Sequence, residues 1–285
     1  MANTCTICQK KLGRTVLSIL SPDRFEISVG INGNNYIREW VLCENCKCLT
    51  NILPIDSLNK VDSLRRNYYE VDFSGGNVRD KYLSVMSLHP VKSDNVGRVN
   101  RVFEFSKSWF PSTVFENLKV LDIGAGTGVF LSKLSDASDQ YSWEFKGIEP
   151  DPKAAKHLRE LGKFEVYEGL FQGQYNFKGV HLITLNKVLE HIEKPLNLLS
   201  DIRKIMCGTF SLLYVEVPDK ITAEIRMPND NILGALHCHL YDFQTIMYIA
   251  DKLNFELLKV QRIKEPSGKL TIFAFLTLPE NIRIS

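Results

Sequence analysis

The chain has 285 residues, 44% of them hydrophobic and 24% charged, with 35 basic and 33 acidic side chains and a formal net charge of +2. This is the balance of an ordinary globular protein with a sizeable core, and it provides no electrostatic pull toward nucleic acid or an anionic membrane. No apolar run approaches the ~18–20 residues of a membrane helix, and the opening "MANTCTICQKKLGR" lacks a signal peptide's apolar centre, so the expected setting is the cytoplasm, where thiols stay reduced.

Five of the seven cysteines fall in "CTIC" (5–8) and "CENCKC" (43–48); Cys207 and Cys238 stand apart. Cys5 with Cys8, and Cys43 with Cys46, are two C-x-x-C turns. Such turns let four thiolates converge on one ion, which predicts a four-sulfur zinc site. With every position closed by sulfur the zinc is structural. It folds a segment too small to hold itself together. Cys48 is a spare thiol or an alternative to Cys46. Between the pairs, "FEISVGINGNNYIREWVLC" predicts strand runs around an Asn/Gly turn. These features define an N-terminal zinc-binding module over residues 1–75, ending in the aromatic and glycine-rich connector "NYYEVDFSGGN" (67–77).

Residues 76–112 read as a helical connector or cover. "NVGRVNRVFEFSKSWF" places Val96, Val99, Phe103 and Phe110 near one face, with Arg98 and Arg101 elsewhere, and Pro111 closes the helix.

Residues 113–285 alternate strand and helix. "LKVLDIGAGTGVFLSKL" (118–134) is a strand, a glycine turn at Gly124, Ala125, Gly126 and Gly128, and a helix N-terminus, together a cofactor cradle. The next strand, in "SWEFKGIEPDP" (142–152), ends in Glu149, about 20 residues on, where an acid can hold both hydroxyls of a ribose. Strands follow in 163–171, 180–188 and 210–218, with helices in 195–206 and 242–255. The final strands 256–263 and 269–278 are joined by "KEPSG" and should pair antiparallel. The expected fold class is α/β, a doubly wound Rossmann-like sheet of seven strands closed by that hairpin, with the zinc module in front. The loop reads G-x-G-x-G, whereas a dinucleotide site prefers G-x-G-x-x-G, which disfavours a nicotinamide oxidoreductase.

"VLDIGAGTG", "GIEPDP", "LITLNKVLEHIEKPLNLLSDI" and the strand hairpin resemble a class I S-adenosylmethionine-dependent methyltransferase over roughly residues 100–280. With "CTIC…CENC" and "NYYEVDF" ahead of them, the order is similar to that of sugar methyltransferases with an N-terminal zinc module, including nucleotide-sugar C-methyltransferases. The resemblance implies that Asp122, Gly124, Ala125 and Gly126 frame the methionine end of S-adenosylmethionine. Glu149, with Pro150, meets the ribose, Leu170 meets the adenine, and Asn186 lies under the sulfonium. "NKVLEHI" puts His191 on an active-site histidine, and "LHCHLYDF" (236–243) puts His239 on a second. That subgroup's tyrosine and glutamate are Leu236 and Cys238 here, and the long C-terminal extension is missing. Both departures count against C-methylation of a keto-sugar and favour methyl transfer to a hydroxyl or amine with a His general base.

His191, His239 and His237 are thus the candidate catalytic residues. As a metal set, His237, Cys238 and His239 are weak, because no carboxylate or third histidine lies nearby in sequence. Asp242 is the expected cap of the following helix. His89, His157 and His181 need no functional reading, and Cys207 reads as core. Arg226, in the segment 218–236 where such folds insert a lid, is either an anion contact or solvated. The expected acceptor is a small molecule, a sugar or nucleotide-linked sugar. RNA or protein delivered by the zinc module is the rival. Lys10, Lys11, Arg14 and Arg24 make only a modest basic stripe, so a nucleic-acid partner is not expected. The sequence leaves the oligomeric state open.

Overall fold

The computed structural model describes residues 4–33, 35–54, 57, 58, 60, 61, 77–172, 177, 179–206 and 210–282. The connector residues 67–76 and Cys207 lie outside them. Among the described residues the strands are β1 (Thr15–Ile19), β2 (Arg38–Leu42), β3 (Leu49–Ile52), β4 (Lys119–Ile123), β5 (Glu144–Glu149), β6 (Glu165–Glu168), β7 (Leu182–Asn186), β8 (Leu212–Pro218), β9 (His239–Leu240), β10 (Glu256–Lys264) and β11 (Leu270–Thr277). No helix among the described residues is long and apolar enough to cross a membrane.

The large sheet has seven strands in the order β10-β11-β8-β7-β4-β5-β6. β4 to β8 are mutually parallel; β11 runs antiparallel to both β8 and β10. The expected hairpin is therefore present. The order reverses between β4 and β7, so the carboxyl ends of β4, β5 and β7 open on one crevice, the place where open α/β sheets bind ligands. β4 and β7 are buried along nearly their whole length, as strands covered on both faces must be.

The front module is less independent than its sequence suggests. Its sheet runs β1-β2-β3-β9, and the fourth strand comes from the segment after β8. Leu49 pairs with Leu240, and Thr50 with His239. The Asn51 amide donates to the carbonyls of Gly234 and His237, and the Thr245 hydroxyl to the Cys46 carbonyl. One apolar core runs without a break from the cysteines through Leu189 and Tyr241 to the large sheet.

Two sequence expectations are corrected. "RFEIS" is a helix, Arg24–Ser28, not a strand. Asp23 caps it and Glu26 reaches back to the Asp23 N–H, a capping box that outweighs the β-forming Phe25 and Ile27 over one turn. β2 instead pairs with β1 and β3. Arg98, expected away from the apolar face of its helix, Asp94–Trp109, belongs to the buried side. It is buried, with its guanidinium on the carboxylate of Glu216 in β8. Arg101 reaches Glu216 and Glu265 from the next turn. The hydrophobic pattern hid this because Glu216, the counter-charge, comes from a distant strand. Asp242 does cap the helix Phe243–Lys252, with Thr245 completing a capping box.

Candidate functional site

The glycine loop is bent by left-handed backbone at Gly124 (φ 75°), Gly126 (φ 57°) and Gly128 (φ 80°). A Cβ on Gly124 would lie 2.6 Å from Val188, and one on Gly128 2.5 Å from Leu158, so both conformation and space demand glycine there. The N–H groups of Gly124 and Ala125 are clipped to the Ile148 carbonyl at 2.8 and 3.0 Å. That of Gly126 donates to Glu149 Oε2 at 2.7 Å, while the Asp151 N–H donates to Oε1 at 2.9 Å. Glu149 thus joins the loop after β4 to the tip of β5. Each of its carboxylate oxygens has further lone-pair capacity for a hydroxyl. Pro150 follows at the bend, half-buried. Leu170, just past β6, is 60% exposed, an apolar side chain at the edge of the crevice.

Asp122 is buried at the end of β4. Its Oδ1 accepts from the Thr184 hydroxyl at 2.6 Å and from the Asn186 amide at 2.9 Å. Asn186 Oδ1 is buried with no hydrogen-bond partner among the described residues. An orphaned acceptor beside a carboxylate suits a cationic ligand, and Glu149 suits a diol. These residues therefore fit the sulfonium, ammonium and ribose of S-adenosylmethionine. Burial pushes the Asp122 carboxyl up to about 7 against the bonds from Thr184 and Asn186. It also pushes Glu149 up to about 7 against the two backbone N–H groups.

These shifts have opposite consequences for stability and binding. Both acids take up a proton in the folded chain near neutrality but in the unfolded chain only near pH 4, so between those values the folded state holds more protons and loses stability as pH rises. A diol held by Glu149 needs that carboxylate ionised. Going from about pH 8 to about pH 6, the cofactor-free chain should gain thermal stability while affinity for S-adenosylhomocysteine falls several-fold. Melting curves and calorimetric titrations at matched pH values check this; parallel movement of the two would contradict it.

Beyond the tip of β7, two loops are tied together. The three-residue turn Leu189–His191 follows β7, and residues 234–240 lead into β9. The Cys238 N–H donates to the Glu190 carbonyl at 2.5 Å, and the Tyr241 hydroxyl to the Leu189 carbonyl at 2.8 Å. His191 and His237 come together, their rings edge to face with centroids 4.6 Å apart. The Nδ1 of His191 lies 3.2 Å from the Leu236 carbonyl oxygen, and that of His237 2.6 Å from the Ile232 carbonyl oxygen. His239 has other partners. It is buried, with Nε2 3.2 Å from the Thr6 hydroxyl and 3.1 Å from the Glu193 carbonyl. Arg226 is part-exposed; it pairs with Asp230 at 3.3 Å and donates to the Gly268 carbonyl.

Sequence reasoning passed over two groups here. Glu190 was only the neighbour of His191, yet it is 1% exposed, adjoins both histidines, and is pushed up to about 7 by burial, with Lys187 opposing. Lys187, in left-handed backbone (φ 59°) at the tip of β7, donates to Thr271 at 2.6 Å and faces Glu216 at 3.6 Å. The sole signal for either was adjacency to Asn186 and His191.

Cys5, Cys8, Cys43 and Cys46 are buried, their sulfurs all within 4.8 Å of one another. Cys5 and Cys46 are 3.6 Å apart, Cys8 and Cys43 3.3 Å. Zinc–sulfur bonds of about 2.3 Å in a tetrahedron put sulfurs about 3.8 Å apart, so the donor set fits zinc. The hydrogen bond from Cys46 holds the Cys5 thiol down to about 5 and pushes Cys46 up; burial pushes Cys43 up. Four buried sulfurs cannot all ionise without a cation. Cys48 is outside the cluster and donates to the Leu49 and Leu240 carbonyls.

A family model described as "Methyltransferase domain" matches residues 96–260. No curated protein matches the chain. Among solved structures it is similar to magnesium protoporphyrin IX methyltransferase from Synechocystis PCC 6803 with bound SAH. The identity is 12%, with TM-score 0.48, over 64% of this chain and 82% of that one. It is similar to a glycopeptide N-methyltransferase complexed with S-adenosyl-L-methionine at 13% identity and TM-score 0.47, over 64% and 94% of the two chains. A SAM-dependent methyltransferase from Aquifex aeolicus aligns at 15% identity and TM-score 0.42, over 61% and 97%. With most of the large sheet inside the matched span, and the glycine loop, Glu149 and Asn186 gathered at its crevice, the chain belongs to the methyltransferase-domain family and is an S-adenosylmethionine-dependent methyltransferase.

Proposed function

We propose that this enzyme methylates a hydroxyl, or an amine, of a small molecule, most plainly a sugar or nucleotide-linked sugar. The observation that carries this reading is the pairing of β9 with β3. It makes the cysteine module one wall of the acceptor side, since the strand that completes the module follows directly on His237. Zinc held by Cys5, Cys8, Cys43 and Cys46 is then a scaffold for the substrate pocket, not a participant in the reaction.

Bound S-adenosylmethionine supplies an electrophilic methyl group on a positive sulfur. The chain supplies the rest. Glu149 holds the ribose, the Gly124–Gly126 turn lets backbone approach the methionine portion, Leu170 covers the adenine, and Asp122 with Asn186 faces the positive charge. The acceptor's hydroxyl meets the His191–His237 pair, where it loses its proton. Each imidazole with its Nδ1–H on a carbonyl keeps a lone pair at Nε2, the tautomer that receives a proton. His239, held between Thr6 and Glu193, positions the module against the turn after β7.

Incubation with methyl-labelled S-adenosylmethionine and a panel of nucleotide-linked sugars tests this. Label in a sugar hydroxyl or amine is the expected result. Label on a sugar carbon, or only in RNA or protein, would overturn it. With an acceptor in hand, His191→Ala should lower kcat by about 100-fold or more while leaving the Kd for S-adenosylhomocysteine within about twofold. An equal loss of cofactor affinity would mean that His191 serves the cofactor and not the acceptor.

A further inference from the structure

We propose that Glu190, His191 and His237 form a second metal site, separate from the four cysteines, for a divalent transition ion whose open position takes an oxygen of the acceptor. The last clause rests on the reading that the acceptor meets these histidines, with one change: each Nε2 would then be on the ion, and the acceptor hydroxyl, acidified by the ion, would give its proton to water and not to an imidazole; the site itself rests on neither.

The three residues bring one carboxylate oxygen and one nitrogen from each ring within 4.8 Å of one another. With metal–ligand bonds of about 2.1 Å, the donors need to draw in by about 1 Å to share one ion, within the reach of side-chain rotation. Both rings are already set in the state a metal requires. Each Nδ1 sits on a backbone carbonyl, Leu236 for His191 and Ile232 for His237. It is therefore the donor, which leaves the lone pair on Nε2. Metal-binding histidines characteristically anchor the other ring nitrogen this way. Glu190 adds an independent sign. It is 1% exposed, and its Oε2 makes no hydrogen bond to any described residue. A buried carboxylate oxygen with no donor costs free energy that a cation removes. Lys187, three residues before Glu190 at the tip of β7, is engaged by Thr271 and Glu216.

The donor set names the class of ion. Two imidazoles and a carboxylate suit Zn²⁺, Co²⁺, Mn²⁺ or Fe²⁺; magnesium and calcium ask for oxygen ligands throughout. Three protein ligands are one short of a closed tetrahedron, the pattern of a site that takes an exogenous oxygen, whereas the cysteine site is complete. The bonds from Cys238 to Glu190 and from Tyr241 to Leu189 hold the two contributing loops together before any ion arrives.

The test is a Co²⁺ titration of the full chain with its cysteine site loaded with zinc, followed by visible absorption and by metal analysis after dialysis. One further equivalent, with the weak visible bands of nitrogen and oxygen coordination and no sulfur charge-transfer band, is expected. Glu190→Gln and His237→Gln should each weaken that equivalent by about tenfold or more, with zinc content and circular dichroism unchanged as the check on folding. No cobalt beyond exchange into the cysteine site would overturn the proposal, as would a further equivalent indifferent to both variants. Full methylation of a sugar by protein holding one zinc alone would overturn the role of the ion while leaving the acceptor reading intact. A bound ion with no sugar labelled would do the reverse.

Discussion

Cys46→Ser should yield a protein with almost no bound zinc, a stability loss of about 4–5 kcal/mol, and no measurable methyl transfer. The loss is large because the module has little core of its own. Its cysteines belong to the main core, its strand residues Ile19, Trp40 and Leu49 share a second cluster with Ile232, Leu233 and Leu240, and β3 is also the hydrogen-bonding partner of β9. Releasing the Cys43–Cys46 turn therefore loosens more than the front of the chain. It frees the Cys46 carbonyl from Thr245 and unseats the strand that follows His237. Cys48→Ala is the control. Cys48 is buried but donates only to carbonyls, so zinc should stay at one per chain with a stability loss of about 1 kcal/mol. Metal analysis and denaturant melts on the two variants check the pair; equal zinc loss in both would move the ligand assignment from Cys46 to Cys48.

Glu216→Gln should destabilise by about 3–5 kcal/mol, because it strips the counter-charge from a buried cluster of cations. Glu216 is fully buried and meets Arg98, Arg101 at 3.0 Å, Lys187 at 3.6 Å and the Tyr214 hydroxyl at 2.7 Å. Burial alone would raise its pKa, but Arg98 and Lys187 outweigh burial and hold the carboxyl well below the ordinary range. Its contribution is present above the unfolded pKa of about 4.3 and fades only in strong acid. Acid unfolding above pH 4 is therefore not the work of this group. Replacing Arg98 by Met in the same variant should recover part of the loss, since the orphaned guanidinium is then gone. Urea melts of the single and double variants supply the numbers. A loss below about 1 kcal/mol for Glu216→Gln would mean that the cluster is solvated and not structural.

Much of this enzyme is written in short stretches. Alternating strands and helices, the three left-handed glycines after β4, and the acid closing β5 are local patterns with local causes, and they give the sheet, its hairpin and the cofactor crevice. The paired C-x-x-C turns announce a four-sulfur cluster for the same reason: two residues of spacing suffice to aim two thiols at one point. The capping box at Asp23 was equally local, and missing it turned a helix into an expected strand. What no stretch announces depends on contacts between distant segments. β9 completes the front sheet, Glu216 neutralises cations from a helix before β4, and Glu190 and His191 from the end of β7 meet His237 from the segment before β9. In the sequence His237 looked poorly supplied with metal-binding neighbours. Its partners arrive only once the turn after β7 is packed against the segment leading into β9, because tertiary packing, not chain order, sets which side chains come together.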